Sequence, residues 1–259
     1  RRASAAGSIG RAAEAAQGGL RLVGAGRCRL CVNAGDMARR REMTDMAADE
    51  LQSAIAAKVQ ASGTSFYSAM RLLPVERRNA MYAIYAFCRE VDDIADEGDD
   101  LPAKRRDLQE WRAEIDRLYA GTPAKPVAQA LLKPVREYCL RKQDFLAVID
   151  GMEMDAEAAI QAPDLATLDL YCDRVASAVG HLSVRAFGAT EPEADTVAHH
   201  LGRALQLTNI LRDLQEDAER DRLYMPRELL IKHGIATTVP RTVLAHPNLR
   251  FVCRDLAAL

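Results

Sequence analysis

An all-α fold is predicted for this 259-residue chain by three observations. From about Ala47 onward, apolar residues recur at helical spacing, as in Leu51, Ile55 and Val59. Alternation of period two is lacking, and β-branched runs are few. Two acidic segments far apart in the chain, Asp92-Asp93-Ile94-Ala95-Asp96 and Asn209 to Asp217, each set carboxylates four residues apart, on one helix face.

Residues 1 to about 45 differ from the rest. They are rich in Ala, Gly and Arg, Glu14 is the sole acid before Asp36, and Met37 is the first methionine. An Arg-rich, acid-poor leader has the composition of a transit peptide. The simpler expectation is a disordered or artefactual upstream extension. The helical domain is expected over residues 46–259. A first helix carries Leu51, Ile55 and Val59, and Gly63-Thr64-Ser65 ends it. Pro74 sits where a helix can start, and Val75 to Asp96 keeps helical periodicity. Further helices are predicted over 103–119, 127–140, 143–154, 165–187, 194–219 and 226–233. Residues 249–259 also read as helical where the chain stops, so further C-terminal helices are expected to complete the bundle.

Composition narrows the function. With 35 basic and 37 acidic residues the net charge is −2, which argues against a nucleic-acid binder. Charge-free stretches reach only about ten residues, and a membrane span needs roughly 20. Cys88, Cys139 and Cys172 lie in apolar helical contexts and read as buried free thiols of a reducing compartment. Cys28 and Cys31 form one CxxC without a second pair or a suitably spaced His, so zinc is not expected.

The acidic segments carry the chemistry. Like charges one turn apart repel, so two such pairs suggest a compensating cation. Oxygen ligands without His or Cys suit a hard ion, most simply magnesium, which usually shares a few carboxylates with a phosphorylated substrate. At about 100° per residue, Tyr85, Arg89, Asp92 and Asp96 fall within roughly a 60° arc. Met81, Ile84, Cys88 and Val91 form the apolar stripe beside them. Gln206, Asn209, Asp213 and Asp217 share roughly an 80° arc, bordered by Leu207, Ile210, Leu211 and Leu214. Two such walls can face each other and hold several magnesium ions and a diphosphate between them. The alternative is a solvated polar face with Arg89 in a salt bridge. Arg89, Arg212 and Arg222 suit phosphate oxygens, and Ser65 could add a hydroxyl and a helix-start amide. Each is also compatible with an ordinary surface pair or cap. Tyr171, Val175, Ala178 and Leu182 share one face, beside the small Ala176, Ser177 and Gly180. That face is either core or a tunnel for a hydrocarbon tail with Tyr171 at its reactive end.

These residues resemble a known family. Tyr171 to Gly180 looks like the first signature of the squalene and phytoene synthases. Leu201-Gly202, Gln206, Asn209, Arg212-Asp213, Asp217, Arg222, Tyr224 and Pro226 look like the second. Ser65-Phe66-Tyr67, then Tyr85, Arg89 and the first acidic segment, sit where this family has its phosphate flap and first aspartates. The resemblance covers about residues 60–259. It is nearest to the branch of bacterial hopanoid biosynthesis that makes presqualene diphosphate, on the wording of 65–74, 82–98, 148–155 and 182–188.

The resemblance implies an isoprenoid synthase-type helical bundle around a central cavity. It also implies head-to-head condensation of two farnesyl diphosphates. Asp92, Asp96, Asn209, Asp213 and Asp217 would bind Mg2+. Ser65, Arg89, Arg212 and Arg222 would hold phosphates, while Tyr85 and Tyr171 flank the allylic cation. Phe66, Tyr67, Val175, Val179, Gln206 and Tyr224 would contact substrate. The base that takes the proton is left open, with released diphosphate one candidate. No NADPH dependence is expected, because no G-x-G-x-x-G context occurs. A cytoplasmic enzyme in loose peripheral contact with the inner membrane is the expectation. The rival readings are a phytoene synthase using geranylgeranyl diphosphate, a terpene cyclase, and a non-catalytic assembly module of the same fold. The retained aspartates argue against the last, and the long second signature against a cyclase.

Overall fold

The computed structural model describes residues 29–64, 66–96, 98, 100–157 and 160–259, of which 46–259 form one compact unit. The chain begins with α1 (Arg29–Ala61), α2 (Phe66–Met70), α3 (Val75–Asp96) and α4 (Leu101–Ala120). α5 (Pro126–Glu137), α6 (Lys142–Glu157) and α7 (Leu165–Cys172) follow. A π-helical turn over Asp173–Ser177 joins α7 to α8 (Ala178–Ala186). α9 (Pro192–Arg212), α10 (Leu214–Glu219), α11 (Arg227–Lys232), α12 (Pro240–Leu244) and α13 (Leu249–Leu256) complete the order. Among the described residues there is no strand, and a β-bridge pairs Gln161 with Leu223.

Local chemistry sets the helix ends. Proline opens α4, α5 and α9 in the first turn, where its missing N–H leaves no bond unmade. Gly121 closes α4 at φ 86°, its amide donating to the Arg117 and Leu118 carbonyls. Asp164 caps α7 by accepting from the Thr167 amide at 2.7 Å. Glu114 is fully buried and accepts from the amides of Ala124 and Lys125 at 2.6 and 2.7 Å. Burial opposes its charge, but those amides and Arg117 outweigh it and hold the carboxyl below its ordinary range. One acid thereby closes the α4–α5 loop.

Two hydrophobic clusters form the core. The first joins α3, α4, α5, α6 and α8 around Phe87, whose ring meets Trp111 and Phe145 edge-on at 5.3 and 5.1 Å. The second gathers Ile210, Leu223, Met225, Leu230, Val252 and Leu256. Val175 packs against both. Glycines allow the helices near it to touch. A Cβ at Gly202 would stand 2.8 Å from the Ala176 carbonyl, and one at Gly180 would stand 2.7 Å from the Ala198 carbonyl.

Several boundaries differ from the sequence reading. The helix expected from about Ala47 begins at Arg29. Residues 29–46 lack proline and are rich in helix formers, which need no apolar stripe to coil. Short α2 and α12 fall below the length at which periodicity is visible. The helix predicted over 165–187 contains the π-turn, and the one over 194–219 breaks at Asp213 (φ −100°, ψ 14°). Cys172 is buried as expected and Cys88 is half-buried. Cys139 is exposed, at φ 49° in the turn after α5, because helix periodicity does not extend past Glu137. Cys28 and the Cys31 side chain lie outside the described residues. Among those residues no helix is long and apolar enough to cross a membrane.

Candidate active site

α3 runs unbroken, so the 100° step carries Tyr85, Arg89 and Asp92 to one side of a cavity of about 240 Å³. α6 contributes Val148, Met152 and Asp155, and α9 contributes Gln206. The α7–α8 segment contributes Tyr171, Val175 and Val179. The wide π-turn keeps these three in line at four-residue steps. Ala178 and Leu182, expected on the same face, are instead buried in the first core cluster. The cavity lining is mixed: Arg89, Asp92, Asp155 and Gln206 are polar, and Val148, Met152, Val175 and Val179 are apolar.

Arginines pair with acids of both segments. Arg89 pairs with Asp92 at 3.0 Å and Asp93 at 2.7 Å. Asp96 accepts from Arg220 at 3.0 Å and Arg222 at 2.9 Å. Those two bonds tie the end of α3 to the segment that follows α10. Arg212 holds Asp213 through two hydrogen bonds of 2.7 and 2.6 Å. Neighbouring side chains on a regular helix point about 100° apart, so this pairing goes with the break at Asp213. Arg212 and Asp213 therefore do not line the cavity. They border an open depression of about 630 Å³ with Gln215, Glu216, Glu219 and Arg220. Asn209, one turn earlier, lines neither.

Burial and crowding of acids raise three carboxyls, Asp155 chiefly through its burial. Burial, then Asp96, pushes Asp92 up to about 6. Burial, then Asp213, pushes Asp217 up to about 6. Asp92 is 42% exposed yet desolvated, because a concave wall surrounds it with protein while its mouth stays open. Asp213 is held below the ordinary range by its hydrogen bonds to Arg212. Among the described residues no three acid, His or Cys side chains converge on one point as a closed metal cage. Arginines occupy Asp92, Asp96 and Asp213 instead.

Asp155 was not legible as a site residue. It lies beside both acidic segments, close enough to raise the carboxyls of Asp92 and Asp217. Tyr171 donates to it at 2.9 Å and Tyr224 at 2.8 Å, and the two buried rings stack 5.1 Å apart. The signal was an acid at the end of an apolar stripe, since Val148, Met152 and Asp155 follow at four and three residues. Tyr224 thus reaches the site through Asp155, and Arg222 through Asp96. Phe66 and Tyr67 do not line the cavity. α2 is a single short turn, its Tyr67 ring stacks on Tyr82 at 5.8 Å, and Phe66 stands exposed. Ser65 lies outside the described residues.

A helical bundle that brings Asp92, Asp155 and Arg89 together with aliphatic side chains around one cavity has the architecture of the all-α isoprenoid synthases. A solved dehydrosqualene synthase with bound ligand matches it at TM-score 0.71 and 30% identity, over 82% of this chain and 74% of that one. The squalene/phytoene synthase family model matches residues 59–259, and the chain belongs to that family. The presqualene diphosphate synthase of Rhodopseudomonas palustris is 57% identical over 198 residues, 76% of this chain and 70% of the relative. That of Zymomonas mobilis is 56% identical over 198 residues, 76% and 67%. Phytoene synthases match at 35–39% identity.

Proposed function

We propose that this chain is a prenyltransferase that condenses two farnesyl diphosphates head to head, releasing presqualene diphosphate and inorganic diphosphate. The observation that carries this reading is a cavity lined both by Asp92, Asp155 and Arg89 and by the aliphatic Val148, Met152, Val175 and Val179. The higher identity to presqualene diphosphate synthases than to phytoene synthases supports the farnesyl substrate. The catalytic part in this reading is 46–259.

The roles follow from position. Val148, Met152, Val175 and Val179 take the hydrocarbon chain. Arg89, Arg212 and Arg222 offer charge-assisted donors to diphosphate oxygens once they exchange their present aspartate partners. The donor's C–O bond breaks with diphosphate as leaving group. The second farnesyl's double bond then attacks the allylic cation, and proton loss closes a cyclopropane. Tyr85 and Tyr171 present their rings to that cation, and Gln206 lines the same space.

The chemistry of the donor set fits magnesium. Asp92, Asp96, Asp213 and Asp217, with Asn209, offer oxygen only, and two of the carboxyls sit in an excess of negative charge that a cation would relieve. Bound there, Mg2+ would supply positive charge to the leaving diphosphate. Loose contact with a membrane surface would suit substrates with long hydrocarbon tails.

The test is product analysis. Protein incubated with farnesyl diphosphate and Mg2+, without NADPH, should yield presqualene diphosphate by mass spectrometry. Phytoene from geranylgeranyl diphosphate, with farnesyl diphosphate untouched, would overturn the substrate assignment.

A further inference from the structure

We propose that Asp155 is a positioning residue, which fixes Tyr171 and Tyr224 as one rigid aromatic wall and keeps both phenolic protons away from the substrate. The inference rests on the reaction proposed above and adds a residue to it.

The geometry is specific. Oδ2 of Asp155 accepts from Tyr171 at 2.9 Å, and Oδ1 accepts from Tyr224 at 2.8 Å. Burial pushes the Asp155 carboxyl up, while the Tyr224 and Tyr171 hydrogen bonds and Arg222 favour its charge. As a carboxylate it only accepts, and each phenol has a single proton to give, so both protons are then committed to Asp155. The rings stack at 5.1 Å with 25° between their planes. Each is about 6% exposed, so neither has water as an alternative partner over most of its surface. The backbone around Tyr224 is pinned as well. The Leu223 amide donates to the Ile160 carbonyl at 2.6 Å, and the Ala162 amide donates to the Leu223 carbonyl at 2.8 Å. Three remote segments are therefore locked at one carboxylate, which is itself a cavity-lining group.

The chemical consequence concerns the cation. A phenol whose proton is held elsewhere offers its neighbours an electron-rich ring and oxygen lone pairs. A carbocation beside Tyr171 then meets stabilising π density. A freely rotating phenol would present its O–H in some orientations, and its ring face would lose its fixed aim.

Kinetics of Asp155→Asn, Tyr224→Phe and the double variant, in the full chain, test this. The amide keeps the shape of the acid but brings one carbonyl oxygen, so one phenol loses its acceptor. Loss of an orienting partner of this kind should lower kcat by about 10- to 100-fold with KM for farnesyl diphosphate little changed. The double variant should be no slower than the slower single one, because both changes break the same unit. The ultraviolet difference spectrum of Asp155→Asn against the parent should show the blue shift of a tyrosine that has lost an ionised acceptor. An unchanged kcat or additive losses would overturn the proposal. So would a silent Tyr224→Phe beside an Asp155→Asn that alters only the Mg2+ requirement, since that pattern marks a bare charge. If the parent does not use farnesyl diphosphate, the reaction assignment fails, and the spectrum still decides whether Asp155 holds the tyrosines. If Asp155→Asn does not fold, the kcat and spectrum of Tyr224→Phe decide in its place.

Discussion

Asp92 and Asp217 bind a proton more readily in the folded chain than in the unfolded one, because burial and nearby acids push both up to about 6 from 3.8. Their contribution to stability is present below the unfolded value and is lost as pH rises through about 6. Asp213 and Asp255, held low by Arg212 and Lys232, act with the opposite sign, but only below 3.8. In chelator, calorimetry should therefore show the melting temperature falling as pH rises through about 6. Mg2+ with pyrophosphate should restore it above that pH and do little below. Asp217→Asn should melt higher than the parent in chelator at neutral pH and respond less to Mg2+, a trade between stability and function. Asp213→Asn should abolish turnover while the far-ultraviolet circular dichroism keeps its helical shape; wild-type turnover would remove Asp213 from the metal set. At this scale Tyr85, Arg89 and Asp92 were legible as one face of α3, because an uninterrupted helix converts spacing directly into direction. Asp96, expected with them, pairs with Arg220 and Arg222 and is not among the cavity-lining residues. Asp155 was not legible, because its partners Tyr171 and Tyr224 come from remote segments and no local spacing encodes them.

Two of the helices around the site depart from regular coiling. The turn over Asp173–Ser177 and the break at Asp213 both fall within the two stretches that resemble family signatures. Periodicity predicted that Tyr171, Val175, Ala178 and Leu182 share a face. The structure keeps the first two beside Val179 and sends the others into the core. A 3.6-residue template cannot reveal such a shift, since the residues themselves remain good helix formers. Small residues, by contrast, permit close approach of the helices. Gly202 lies 2.8 Å, by its absent Cβ, from the backbone of Ala176 and Ser177. Gly202→Ala gains about 1 kcal/mol of helix propensity. It forces two backbones apart, which costs about 1–3 kcal/mol or more and should win. Chemical denaturation should show a net loss of stability, and a more stable variant would mean that α9 can slide.

Over residues 46–259, the two hydrophobic clusters meet at Val175 and are tied by Asp96 to Arg220 and Arg222. Trp111, the only tryptophan, sits in the first cluster. Its fluorescence and the circular dichroism of the whole chain should follow one denaturation curve in the parent. In Arg222→Ala combined with Val175→Ala the curves should separate, with the second cluster melting first; coincident curves would show that other contacts suffice. The all-α class was legible from composition and period, since each amphipathic helix states which face it buries. The division of the core into two clusters was not, because it depends on which faces meet. The hollow lies along their meeting line, with Met152 on one bank, Tyr171 on the other and Val175 common to both. A hydrocarbon tail lodged there would act as mortar between two courses of brick, so substrate would complete the protein's interior as well as occupy it.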